Sequence, residues 1–166
     1  ILRAVFANLT SGNATGQGGS TITQQLARNA FLTQEQTLKR KLLEVVLAFE
    51  IESKYTKKQI LEMYMNQIYF GQGCYGIQTA AHVYFGKDVK DLSLSQCAML
   101  AGLPNSPNYY SPFRSLEAAK YRQGIVLDQM AKYGYISAAD AQAAKAADVH
   151  LAKQDKGKSG AGTAQY

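Results

Sequence analysis

The sequence predicts a single, mainly α-helical domain, and three observations favour this fold class. A chain of 166 residues is long enough to bury one hydrophobic core. Hydroxyl residues followed three positions later by glutamine recur along the chain, and this spacing is typical of capping boxes at helix starts. Apolar residues then recur at helical spacing, whereas the sequence contains no alternating pattern long enough to predict a strand.

Helix boundaries can be predicted in order along the chain. The helix starts are predicted at Thr21 with Gln24, Thr33 with Gln36, Thr56 with Gln59, and Ser93 with Gln96. Each pair precedes an apolar series, such as Leu38, Leu42, Val45 and Phe49. Glycines that follow these series predict the helix ends, and they are Gly71, Gly86, Gly102 and Gly134.

The C-terminal part begins with a predicted loop. The stretch LPNSPNYYSPF, residues 103–113, contains all three prolines of the chain. A helix is predicted over 115–133, and SAADAQAAKA predicts one more short helix. The remaining residues are polar and contain glycine, so we expect the domain to occupy residues 1–152 and a linker or tail to occupy 153–166.

Charge and cysteine content limit the function classes. The net charge of +6 favours an anionic partner, which could be nucleic acid, a phospholipid surface or a phosphorylated substrate, although a mildly basic protein without such a partner also fits. Cys74 and Cys97 lack metal-ligand spacing, and Cys97 lies among apolar residues, which predicts a buried small side chain. No apolar run reaches the length of a membrane-spanning helix.

The stretch GQGGSTITQQLARN, residues 16–29, indicates an anion site. If Thr21 caps a helix, then Thr21, Gln25 and Arg28 share one face. The preceding glycines allow backbone N–H groups to approach a ligand, and the helix N-terminus is electropositive. These features suit a phosphate or diphosphate. The alternative is a glycine-rich turn with an ordinary cap and a solvated arginine.

A second cluster lies in TLKRKLLEVVLAFEIE, residues 37–52. Arg40 and Glu44 are spaced i, i+4, and Lys41 and Glu44 are spaced i, i+3, so all three can share a surface. Positive charges near a helix N-terminus, and cations that precede their glutamate in sequence, lower the stability of an isolated helix. Because Arg40 and Lys41 are placed in this way, a functional interpretation is favoured. Arg40 and Lys41 would then bind phosphate beside the Glu44 carboxylate. The alternative is a solvated, charged helix face.

Four stretches together resemble glycosyltransferase family 51, the peptidoglycan glycosyltransferase domain of class A penicillin-binding proteins and monofunctional transglycosylases. GGSTITQQLARNAFL resembles the second motif of this family, RKLLEVVLAFEIE the third, and KKQILEMYMNQIYFG the fourth. HVYFGKDVKDLSLSQCAMLAGLPNSPNYYSP resembles the fifth motif. The resemblance extends from about Ile1 to beyond Arg122, which is most of the chain.

The resemblance implies a lysozyme-like, mostly helical fold at the extracytoplasmic face of the bacterial cytoplasmic membrane. It implies polymerisation of lipid II into β-1,4-linked glycan strands, with inversion at the sugar and release of undecaprenyl diphosphate. Lipid II, the growing glycan chain and the membrane are the implied partners, and nucleic acid is not one. Some members of the family use a divalent cation, Mg or Mn, at the diphosphate, although no metal motif in this sequence requires one.

The resemblance also assigns roles to individual residues. The second motif places Ser20, Thr21 and Gln25 in polar contacts with the substrate, and Arg28 near the diphosphate. The third motif places Arg40 and Lys41 on the diphosphate. Glu44 matches the second catalytic glutamate of the family, which assists departure of the leaving group directly or by organising cations and diphosphate.

The first motif of the family, which resembles EDxxFxxHxG, is not found in these residues. That motif supplies the general base. We therefore expect it to lie shortly before Ile1, and we expect the 166 residues alone to be inactive. We also expect a transpeptidase domain to follow in the native chain.

Two rival interpretations stay open at this point. A lysozyme-like muramidase would hydrolyse glycan, but it requires a glutamic acid in an apolar setting and no cationic diphosphate site. A non-catalytic basic helical module would bind nucleic acid or an anionic membrane through cations spread along one exposed face. The cluster of Arg28, Arg40 and Lys41 fits neither alternative as well as it fits the glycosyltransferase.

Overall fold

The computed structural model describes residues 20–31 and 37–153, and these residues are mainly α-helical, as predicted. Their helices are α1 (Ile22–Phe31), α2 (Leu38–Lys54), α3 (Lys57–Gln67), α4 (Ile77–Phe85), α5 (Leu94–Gly102), α6 (Leu116–Lys132) and α7 (Ala138–Ala146). Two short 3₁₀ turns, Val89–Asp91 and Leu103–Asn105, lie between them. The β-structure of this part of the chain is one isolated antiparallel bridge between Tyr69 and Tyr75.

The chain divides into two compact units. The first contains the residues up to 69 together with 75–77, and the second contains 70–74 and the residues from 78 onward. Among the described residues, helices α1 to α3 therefore belong to the first unit. Helices α5 to α7 and nearly all of α4 belong to the second unit.

Capping side chains determine where the helices of the first unit begin. The hydroxyl of Thr21 accepts from the Gln24 N–H, and the Gln24 side chain accepts from the Thr21 N–H, both at 3.1 Å, as the capping-box spacing predicts. Thr56 and Gln59 form the predicted box at the start of α3. The described start of α2 is capped by Thr37. The predicted pair Thr33 and Gln36 lies outside the described residues.

The core of the first unit lies where α1 packs against α2 and α3. Its buried members are Leu26, Ala27, Ile51 and Ile60. The predicted helix α2 is confirmed, but the apolar series that predicted it does not form its buried face. Leu38 is 88% exposed, and the buried residues of α2 are Glu44, Ala48 and Ile51.

The second unit follows its predicted boundaries closely. Ser93 with Gln96 caps α5, Ser115 caps α6, and Ser137 with Asp140 caps α7. Helix α6 packs against both α5 and α7. The shared core consists of Ala98, Leu127, Ala141 and Ala144. Buried Gln123 also joins α6 to α5 by hydrogen bonds. Its Nε2 donates to the carbonyl and the hydroxyl of Ser95 at 2.7 and 2.8 Å.

The predicted glycine stops divide into two groups. Gly86 and Gly134 follow α4 and α6 with positive φ, which confirms those two predictions. The prediction that Gly71 ends α3 is wrong, because that helix ends three residues earlier, at its C-cap Ile68. Gly102 does end α5, but it keeps a right-handed helical conformation, and the chain continues into a 3₁₀ turn.

Both cysteines are free thiols, and the prediction for Cys97 is wrong. Cys97 is exposed on α5, whereas Cys74 is buried, and its thiol donates to the carbonyl of Gly71 at 2.8 Å. The apolar neighbours of Cys97 in sequence lie on other faces of the helix, because successive helical residues point about 100° apart. Local hydrophobic context therefore did not predict its burial.

Candidate active site

The site begins where the first residues of α1 approach the first turn of α2. The Nζ of Lys41 donates to the Ser20 hydroxyl at 2.6 Å, which joins residues that are 21 positions apart in sequence. Ser20 immediately precedes the Thr21 cap, so the capping box fixes the position of its backbone. The two helix starts therefore converge.

A buried carboxylate lies directly behind this contact. Glu44 is 0% exposed, and its Oε2 lies 2.7 Å from the Nζ of Lys41. Its Oε1 lies 3.3 Å from the Nε of Arg40. The Arg40 contact is an ion pair, whereas Lys41 makes a hydrogen-bonded ion pair. The i, i+3 and i, i+4 spacings produce this arrangement on one helix face.

Burial distinguishes the two cations. The Arg40 side chain is 15% exposed, while the Lys41 side chain is 46% exposed. A buried carboxylate without a partner would cost several kcal/mol, on the order of 3–5, so Glu44 depends on these two cations. Lys41 also reaches solvent, and its ammonium has three N–H donors. Lys41 is therefore the cation of this cluster that is best placed to contact a ligand.

A second set of polar groups lies further along α1. The Nε2 of Gln25 donates to the carbonyl of Ser20 at 3.4 Å, and its Oε1 accepts from the Tyr64 hydroxyl at 3.2 Å. Burial raises the pKa of Tyr64, and the positive charge of Arg28 partly opposes that rise. The charge of Arg28 therefore influences the Tyr64 phenol.

The structure thus groups the predicted residues in two sets. Ser20, Arg40, Lys41 and Glu44 form a direct cluster, and Gln25 is connected to it through Ser20. Arg28 is associated with Tyr64, and the Thr21 hydroxyl is used in the helix cap. The substrate contacts and roles predicted for all of these residues, including Ser20, Arg40, Lys41 and Glu44, stay predictions.

Sequence reasoning missed Tyr64. Its position in the stripe of Ile60 and Ile68 on α3 indicated an ordinary core residue. A phenol at such a position needs a hydrogen-bond partner, and the signal was its hydroxyl within an otherwise apolar stripe. The partner, Gln25, is 39 residues away in sequence, so helical spacing alone could not identify it.

The described residues do not form a metal site by themselves. Within the described part of the chain, no group of three or more His, Cys, Asp or Glu side chains could hold a metal ion. Each oxygen of Glu44 already lies within ion-pair distance of a cationic side chain. A dication placed there would compete with two positive charges. No chemical step is therefore assigned to a metal.

Comparison with known proteins decides the family. The sequence profile described as "Transglycosylase" matches residues 1–131. The chain belongs to the transglycosylase family. Penicillin-binding protein 1A of Aquifex aeolicus is 48% identical to this chain over 158 residues, which is 95% of the chain. Penicillin-binding protein 1F of Bacillus subtilis is 47% identical over 93% of it.

A solved structure supports the same assignment. The crystal structure of penicillin-binding protein 1A from Haemophilus influenzae matches 81% of the transglycosylase chain, with a TM-score of 0.56 and 28% sequence identity. The lysozyme-like helical fold class is therefore confirmed. The chain spans only 22% of the length of the Aquifex and Bacillus relatives and 17% of the Haemophilus chain.

Proposed function

We propose that this chain is a peptidoglycan glycosyltransferase that polymerises lipid II into β-1,4-linked glycan strands and releases undecaprenyl diphosphate with inversion at the sugar. The observation that carries the proposal is the Lys41 ammonium, which contacts both the Ser20 hydroxyl and the buried Glu44 carboxylate. Membership of the transglycosylase family and the similarity to penicillin-binding proteins support it.

The leaving group in this reaction is a diphosphate, and its negative charge increases as the bond to the anomeric carbon breaks. Preorganised cations and hydrogen-bond donors stabilise such a charge without reorganisation during the reaction. Lys41 would contact the diphosphate with the N–H that does not bond Glu44 or Ser20, and Arg40 would contribute its positive charge. Arg28, further along α1, would bind the same group or the adjoining phosphate.

Glu44 acts in this proposal as a positioning residue. It is fully buried, and both of its oxygens face cationic side chains. These contacts favour the second of the two roles that the family resemblance left open, which is organising the cations that hold the diphosphate. The carboxylate fixes the Arg40 and Lys41 side chains in one arrangement before substrate binds, which reduces the entropy lost on binding.

The nucleophile is the 4-hydroxyl of one lipid-linked disaccharide, which attacks the anomeric carbon of the growing chain. A glutamate of the first motif, expected before Ile1, removes its proton as general base. The bond to the diphosphate breaks as the new glycosidic bond forms, which inverts the configuration. The described residues supply the leaving-group side of this reaction.

The cellular setting belongs to the same proposal. Lipid II and the growing glycan are the partners, nucleic acid is not, and a transpeptidase domain follows in the native chain. The extracytoplasmic face of the cell membrane is the proposed location. Within the described residues, no helix is both long and apolar enough to cross a bilayer. The cationic cluster serves the diphosphate in this proposal, and Mg or Mn is not required.

Labelled lipid II tests the proposal. The chain is extended upstream to include the first motif, and polymer is measured for wild type, Lys41→Ala and Lys39→Ala. Lys39 lies on the same helix turn and is exposed, so it is a matched control. We expect Lys41→Ala to lose polymer by about 100-fold, the order of magnitude for removing one preorganised charge contact, and Lys39→Ala to retain it.

Other outcomes distinguish the rival functions. Release of short sugars from finished glycan without use of lipid II would support the muramidase. Salt-dependent DNA binding without either activity would support the non-catalytic basic module. Equal polymer from both lysine variants would reject the diphosphate role of Lys41.

A further inference from the structure

A concave surface lies in the second unit, where the proline-containing loop meets the start of α6. This groove has a volume of about 360 Å³, which lies within the range of roughly 300–1,000 Å³ that is common for small-ligand sites. We call it the tyrosine groove. It is lined by Tyr109, Tyr110, Ser115, Glu117, Ala118 and Tyr121.

Two of the tyrosines are held in fixed orientations. The rings of Tyr109 and Tyr110 meet edge to face, with centroids 5.0 Å apart and an angle of 84° between the planes. The guanidinium of Arg114 lies 5.6 Å from the Tyr109 centroid, and that of Arg122 lies 5.9 Å from the Tyr110 centroid. Each guanidinium lies within cation–π distance of its ring, which favours one ring orientation. The aromatic wall is therefore preorganised.

Helix α6 supplies the opposite side of the groove. Glu117 and Tyr121 are spaced i, i+4, so they share a face, with the small Ala118 beside Glu117. The Tyr121 side chain is 67% exposed, and Glu117 is also exposed. The groove thus combines open aromatic surface with one carboxylate and several hydroxyls.

We propose that the tyrosine groove binds a pyranose ring of a β-1,4-linked N-acetylhexosamine strand, outside the site that contains Lys41. Equatorial substituents leave flat faces of C–H bonds on such a sugar, and these faces pack on the electron-rich faces of tyrosines. The sugar hydroxyls would donate to Glu117 and exchange hydrogen bonds with the tyrosine hydroxyls. The choice of this glycan as occupant depends on the proposed function.

The carboxylate favours a sugar over a proline-rich peptide, which also packs on tyrosines. A polyproline helix presents carbonyl oxygens, which are acceptors and would face the Glu117 carboxylate unfavourably. A sugar presents hydroxyl donors that a carboxylate binds well. A variant that replaces the Glu117 carboxylate would lose the acceptor for these hydroxyl donors.

Titration with an N-acetylglucosamine hexamer, followed by amide NMR of the full chain, tests the inference. We expect the hexamer to shift amides of residues 109–121, and Tyr121→Ala to weaken that binding about fivefold or more, which is the effect of losing one ring contact. Tyr121→Phe keeps the ring and should retain binding. Tyr135→Ala is the matched control, because Tyr135 is 76% exposed and lies outside the groove.

The result separates this inference from the proposed function, since binding of the hexamer requires no turnover. The Lys41→Ala variant should retain the shifts in residues 109–121 even where polymer is lost. Absence of these shifts, or equal binding by Tyr121→Ala and wild type, would overturn the inference and leave the polymerase proposal untouched. A polyproline peptide that shifts the same amides more strongly than the hexamer would also overturn it.

Discussion

The Nζ of Lys41 lies 2.7 Å from the Oε2 of Glu44, so a half-exposed ammonium is held directly above a fully buried carboxylate. Solvent reaches one partner of this pair and not the other. The buried partner can therefore set the position of the exposed one without itself contacting a ligand. This division of roles leads to the first prediction.

Glu44→Gln should remove nearly all polymerase activity in the extended chain, because the amide no longer neutralises Arg40 and Lys41. The same change should lower the free energy of unfolding by about 3–5 kcal/mol, since two cations lose a buried partner. Lipid II polymerisation and urea unfolding measure the two effects. Glu50→Gln is the control, because Glu50 pairs with Lys54 on an exposed part of α2. Undiminished polymer from Glu44→Gln would contradict its role.

Tyr64→Phe should change how stability depends on alkaline pH. Burial raises the pKa of Tyr64 above its ordinary value of about 10, so the folded state retains the phenolic proton more strongly than the unfolded state. That contribution to stability is complete below pH 10 and is lost as the pH rises through the folded pKa. The free energy of unfolding should therefore fall less steeply above pH 10 in Tyr64→Phe. Identical slopes in urea unfolding at pH 9–11 would contradict this.

Leu26→Ala and Leu38→Ala should differ strongly in stability, although both remove the same atoms. Leu26 belongs to the core between α1, α2 and α3, and its loss should cost about 2–5 kcal/mol. Leu38 is 88% exposed, so its loss should change the free energy of unfolding by less than about 0.5 kcal/mol. Chemical denaturation of both variants measures the difference. Equal losses would mean that the apolar series of α2 is buried after all.

The two thiols should react at different rates with a thiol reagent. Cys97 is exposed, whereas Cys74 is buried and donates to a backbone carbonyl. Burial raises the pKa of both thiols, so the expected difference in reaction rate depends on the access of the reagent to each sulfur. We expect Cys97 to react in the native chain and Cys74 to react only in denaturant. The variant Cys97→Ser should therefore show no reaction in the native chain. Fast reaction of both native thiols would contradict the burial of Cys74.

Features that depend on short sequence distances were predictable. Capping boxes at Thr21, Thr56 and Ser93 involve residues three positions apart, and the pairing of Glu44 with Arg40 and Lys41 follows from helical spacing. The buried face of α2 was not predictable, because several of its faces carry apolar residues, and packing against α1 and α3 selects which one is buried. The contact between Tyr64 and Gln25 and the exposure of Cys97 depend on tertiary packing in the same way.

The burial of Glu44 has a consequence for engineering. Buried ion pairs often contribute less to stability than well-packed apolar side chains of similar volume. Replacing Arg40, Lys41 and Glu44 together by apolar side chains of similar volume should therefore yield a molecule that survives heating at least as well as the parent. Variants selected only for heat resistance would therefore lose these ion pairs. Polymerase activity would have to be selected in a separate screen.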